Sequence, residues 1–103
     1  MDLLKNEGYQ LLVKALVSVQ DEAECSRLLE DLMTRKEIMD IAQRMLVVKL
    51  LSEQAVYSKI VEETGASTAT ISRVNRALRY SSDGYEKVLD KLQLQEKREW
   101  RNR

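Results

Sequence analysis

No proline occurs in this chain, and only three glycines do. Many-stranded folds need Gly and Pro at short intervals to turn the backbone, so a sandwich or barrel is nearly excluded. Apolar residues recur instead at the three- and four-residue spacing of helices. Leu12, Leu16 and Val19 form one stripe, widened by Leu4, Leu11 and Ala15, and predict a first helix over 3–19. Asp21 followed by Glu24 reads as an N-cap, and Cys25, Leu28, Leu29 and Leu32 give the apolar face of a second helix. Thr34-Arg35-Lys36-Glu37 is a capping box. It opens a long third helix through Ile38, Ile41, Ala42, Met45, Val48 and Leu51. Ser52-Glu53-Gln54 is a polar break, followed by a short helix over 56–63 and then Gly65. A fifth helix begins at Ser67 and runs to about Arg79. A turn over 80–84 leads to a last helix carrying Tyr85, Val88, Leu89 and Leu92. The expected fold class is all-α, with six helices.

At 103 residues the chain fits one domain, predicted over 1–94, with a charged tail over 95–103 expected to fray. Apolar residues make up 44% and charged residues 33%, a globular composition and not a disordered one. With no His and one Cys, an intrachain disulfide is impossible, and a zinc cluster is not expected. Cys25 lies on an apolar stripe and reads as a small core filler. The carboxylates of Glu62 and Glu63 diverge on a helix, and no reactive-cysteine context or Gly-rich phosphate loop is visible. The expectation is therefore a protein that is not an enzyme and uses no cofactor and no metal. The start lacks the basic stretch of a signal peptide, and Lys14 and Lys49 interrupt the longest apolar runs. A cytoplasmic protein without a membrane partner is the expectation. The role of Trp100, in the charged tail, is not decided by the sequence.

Net charge is zero, but the charges are unevenly placed. Residues 1–64 carry 8 basic and 12 acidic side chains. Residues 65–82 carry Arg73, Arg76 and Arg79 and no acid. The first helix is apolar over more than half its circumference, in a chain too short to enclose it on several sides. A homodimer built from the first, second and last helices is expected. A monomer with the first helix at its centre is the alternative.

The chemistry-bearing segment runs over 57–78. Ile60 and Val61 form the predicted inner face of its first helix. Gly65 sits where the chain reverses, Ala66 tucks under the turn, and Ser67 caps the second helix. Ile71, Val74 and Leu78 bury that helix's inner face. Its outer face shows Thr68, Ala69, Ser72, Arg73, Arg76 and Arg79. Small side chains at the helix start, hydroxyls and then cations suit a major-groove reader. The helix N-terminus adds a positive dipole end for phosphate. A helix-turn-helix over about 56–79, binding double-stranded DNA, is the natural reading. Arg79 reads equally well as a helix-terminal charge favoured by the dipole. The competing reading is a small helical dimer that binds another protein and no DNA.

At Gly65–Arg73, Gly-Ala-Ser-Thr-Ala-Thr-Ile-Ser-Arg, the chain resembles the Trp repressor family. The capping box at Thr34, Leu50-Leu51 before the polar break, and Leu78 extend the resemblance over 34–92. The whole chain is most similar to the family's YerC/YecD-type branch. The resemblance implies an interlocked all-α homodimer that offers two reading helices to successive major grooves. It implies a two-fold symmetric operator and a transcriptional regulator of the repressor type. Thr68, Ala69 and Ser72 match family positions that face bases. Thr70 and Arg73 match positions that contact phosphate, and Ser58 matches a polar DNA-contacting position on the preceding helix. Ser67 at the helix start and Arg76, one turn beyond Ser72, complete the predicted DNA-binding set.

The same resemblance exposes departures at the family's corepressor pocket. Arg73 keeps one of two arginines that sandwich the indole of tryptophan. The other falls on Gln43, with Arg44 one step along and about 100° round the helix. The glycine that leaves room for the ligand is Val74, and the serine that holds its amino group is Ala77. The expectation is that tryptophan is not the effector. The sequence does not identify another.

Overall fold

The computed structural model describes the backbone of residues 2–80 and 83–101, with side chains described through Gln93. Six α-helices follow a short 3-10 turn at Leu3–Lys5: α1 Glu7–Ser18, α2 Glu22–Leu32, α3 Arg35–Ser52, α4 Tyr57–Thr64, α5 Thr68–Tyr80 and α6 Gly84–Arg101. No strand occurs among the described residues. Helical backbone thus continues to Arg101, past the residue 95 at which the sequence reading starts a tail. The side chain of Trp100, and Ser81 and Ser82 in the predicted turn, lie outside the described residues.

The chain divides into two compact units, 1–39 and 40–103. In the first, the predicted single helix over 3–19 is broken at Asn6. The Asn6 backbone is extended, and its side-chain oxygen accepts from the Tyr9 amide at 2.9 Å. An asparagine oxygen competes for backbone donors, so it starts a helix more readily than it continues one. Asp21 caps α2 as expected, accepting from the Glu24 amide at 2.7 Å. No residue of α1 or α2 is buried in the single chain. Leu11, Leu12, Leu16, Val17 and Leu32 are exposed, and Cys25 is half-buried, short of the core position expected for it.

The capping box at the start of α3 forms in both directions. Glu37 N donates to Thr34 Oγ1 at 3.2 Å, and Thr34 N donates to Glu37 Oε1 at 2.9 Å. The Thr34 backbone amide, and after it the Thr34 hydroxyl, hold the Glu37 carboxyl below its ordinary range.

The second unit has one apolar core. Val47, Val48, Leu50 and Leu51 of α3 meet Ile60 of α4, Ala66 of the turn, Ile71 and Val74 of α5 and Leu89 of α6. Ala55, Leu78 and Tyr85 pack against it. The predicted α3 stripe is only partly right. Val48 and Leu51 are buried, whereas Ile41, Ala42 and Met45 are exposed in the single chain. Burial at 47, 48, 50 and 51 wraps well over a third of the helix, because the elements after α3 cover it on more than one side.

α3 ends in a Schellman motif. Ala55 N donates to Leu50 O and Gln54 N to Leu51 O, both at 3.0 Å, with Gln54 at φ +62°. Leu50 lies in the core and Ala55 packs against that core.

Candidate nucleic-acid interface

α4 and α5 are joined by Gly65, Ala66 and Ser67. Gly65 takes the left-handed conformation at φ +71° and donates from its amide to Val61 O at 2.9 Å. A Cβ at Gly65 would meet nothing within 4 Å, so the backbone angle, not space, selects glycine there. Ala66 is buried under the turn, as the sequence predicts. Thr64 stitches the corner. Its hydroxyl donates to Ile60 O at 2.7 Å and accepts from the Ala66 amide at 3.1 Å.

Ser67 caps α5, its Oγ accepting from the Thr70 amide at 3.1 Å. Inward, Ile71 and Val74 are buried and Leu78 is half-buried against the core. On α4, Ile60 is 0% exposed but Val61 is 37% exposed, so the predicted pair of inner residues reduces to one. Neighbours in a helix point about 100° apart, and α4 meets the core along a single line.

The predicted site residues fall into two groups. Thr68, Ala69, Ser72, Arg73 and Arg76 are all exposed on α5, and Ser67 is exposed at its start. Thr70 is half-buried beside the cap. Ser58 is exposed on the first turn of α4. α5 carries no acidic residue along its length. On α4 the Glu63 carboxylate lies 3.9 Å from Lys59, an exposed pair that contributes little to stability.

The structure adds residues that the sequence reading missed. Asn75 Nδ2 donates to Tyr57 Oη at 3.2 Å, linking α5 to the first residue of α4. Arg79 Nε donates to Asn75 Oδ1 at 2.9 Å, so this arginine braces its own helix. The Asn75–Arg79 spacing of four residues was the available signal. Gln43 of α3 donates from Nε2 to the Thr64 carbonyl at 3.1 Å. Val74, at 5% exposure, fills the core, while Ala77, Arg73, Arg76 and Tyr80 line an open cleft along α5. No cluster of three or more potential metal ligands occurs among the described residues, and no described helix is long and apolar enough to cross a membrane.

Six helices, with a glycine-jointed pair whose second helix is hydroxylic and cationic on its outer face and carries no acid, define a class of small all-α proteins. Residues 7–93 match the family described as Trp repressor protein. The chain belongs to the Trp repressor family. It is 46% identical over 92 residues to the uncharacterized protein YerC of Bacillus subtilis (strain 168), covering 89% of this chain and 88% of that one. A TrpR-like protein from Eubacterium eligens ATCC 27750 superimposes with a TM-score of 0.82 at 46% identity, over 86% of this chain and 92% of that one. A protein of Staphylococcus aureus described as a candidate Trp repressor gives a TM-score of 0.82 at 37% identity, over 87% of this chain and 90% of its own.

Proposed function

We propose that this chain is a sequence-specific, DNA-binding transcriptional regulator of the repressor type. It acts in the cytoplasm as a homodimer on a two-fold symmetric operator. α4 and α5 serve as its helix-turn-helix, with α5 entering the major groove. The observation that carries this reading is the outer face of α5, where Thr68, Ala69, Ser72, Arg73 and Arg76 are exposed together and no acid intervenes. Thr68, Ala69 and Ser72 face base edges. Thr70, Arg73 and Arg76 take phosphates, and Ser58 adds a polar contact to DNA from the start of α4. Phosphate contacts fix register, and base-edge contacts select sequence. The dimer supplies the symmetry of the operator.

A mobility-shift assay on fragmented genomic DNA at two salt concentrations tests this. Arg73 and Arg76 on two subunits neutralise four phosphates, which gives a slope of about −4 in log K against log salt. Affinity should then fall by about two orders of magnitude between 50 and 200 mM salt. Absence of any shift at low salt would leave a protein-interaction module as the better description.

A further inference from the structure

α4 is an eight-residue helix with one buried side chain, Ile60. A helix anchored at a single apolar point can pivot about it, since apolar burial by itself is non-directional. Two polar ties sit at its opposite ends. At the C-terminal end, Gln43 Nε2 donates to the Thr64 carbonyl at 3.1 Å across 21 residues of sequence. That carbonyl is among the last of the helix, which lack intrahelical donors. At the N-terminal end, Tyr57 Oη accepts from Asn75 Nδ2 at 3.2 Å, and Asn75 is held in turn by Arg79 at 2.9 Å. One tie fixes α4 to α3 and the other fixes it to α5.

We propose that Gln43 and Asn75 are positioning residues for DNA recognition. Together they set the angle of α4 against its neighbours and hold Ser58 in one geometry relative to the outer face of α5. Both are half-buried, whereas the predicted base-facing residues are exposed. They act through the helix pair and not by touching DNA. This rests on the regulator reading above.

The test compares the parent with Gln43→Met, which keeps size and loses the donor, and with Asn75→Ala. Two readouts are needed. One is affinity for a DNA fragment selected by the parent from a random pool, set against affinity for the unselected pool. The other is amide hydrogen exchange. Each variant should lose about three- to tenfold in the ratio of selected to unselected affinity, the scale of one neutral hydrogen bond. Exchange should quicken at the α4 amides while those of Val47–Leu51 in α3 keep their protection. Unchanged exchange in α4 with an unchanged affinity ratio overturns the positioning role. So does a uniform rise across α3, α4 and α5, which marks general destabilisation. A parent that binds no DNA defeats the regulator reading itself, and the exchange data then report on the ties alone.

Discussion

Ser67 and Thr70 are joined twice. Ser67 Oγ accepts from the Thr70 amide at 3.1 Å and donates to Thr70 Oγ1 at 3.0 Å. The serine hydroxyl is thereby committed to the cap, and the threonine hydroxyl keeps its own proton to give. The pair thus ties the first turn of α5 to its cap through both backbone and side chain. Ser67→Ala should cost about 1 kcal/mol of stability, the usual loss of such a cap. Ser67→Asp should keep the cap and the stability but weaken DNA binding, because a carboxylate then faces the phosphates. Urea denaturation beside a mobility shift separates the two effects. Equal DNA affinity for Ser67→Asp and the parent would remove the start of α5 from the interface.

Glu37 gives a pH dependence with a definite sign. The folded state holds its carboxyl below the ordinary range through the Thr34 amide and hydroxyl, and the unfolded chain does not. Its contribution is complete above the ordinary glutamate range and is lost as the pH falls through the lowered folded-state value. Glu37→Gln should flatten that acid limb of the stability curve. Parent and variant denatured at several pH values below the neutral range provide the comparison, and identical limbs would contradict the assignment.

Much of this local chemistry was legible in the sequence because it is local. The Asp21 cap, the Thr34–Glu37 box, the Gly65 turn and the Ser67 cap each span three or four residues, and each is where the spacing put it. Asn6 was misread because apolar spacing continues across it, although its side chain caps a new helix. The α3 stripe was misplaced because periodicity shows one face, and the later elements cover more than one. Tyr57–Asn75 and Gln43–Thr64 were invisible. Bonds across 18 and 21 residues depend on how helices cross, which no spacing rule states. In the sequence Gln43 reads only as a missing cation, whereas the structure gives its amide a partner.

The apolar surface of the first unit predicts association. Leu12, Leu16 and Val17 are exposed in the single chain, the last at 79%. Light scattering at micromolar concentration should give twice the chain mass. Leu12→Glu should weaken the dimer by about tenfold or more, since burying an unpaired carboxylate costs well over about 1.4 kcal/mol. A stable monomer for the parent would contradict the proposed homodimer.

Tryptophan should not act as the effector. Val74 is part of the core, so an indole there forces repacking costing roughly 1–3 kcal/mol. Gln43 offers no cation for the ligand carboxylate, and its amide is already engaged with Thr64. The missing charge-assisted bond removes on the order of 1.5–3 kcal/mol more. Ala77 has no oxygen to accept from the ligand ammonium. Calorimetric titration with L-tryptophan should be flat at millimolar ligand, and a saturating one-per-subunit isotherm at micromolar affinity would overturn this account of the pocket.

The central claim is that the outer face of α5 binds DNA through phosphate-contacting arginines. The salt dependence of DNA affinity, measured for the parent, Arg73→Ala and Arg79→Ala, tests it most directly. Arg73 is exposed on that face, while Arg79 is engaged with Asn75. The predicted result is a steep parent slope that Arg73→Ala flattens by about 2 for the dimer, one phosphate per subunit, with weaker binding to every sequence. Arg79→Ala should change the slope less. Affinity and slope unchanged in Arg73→Ala would contradict the claim.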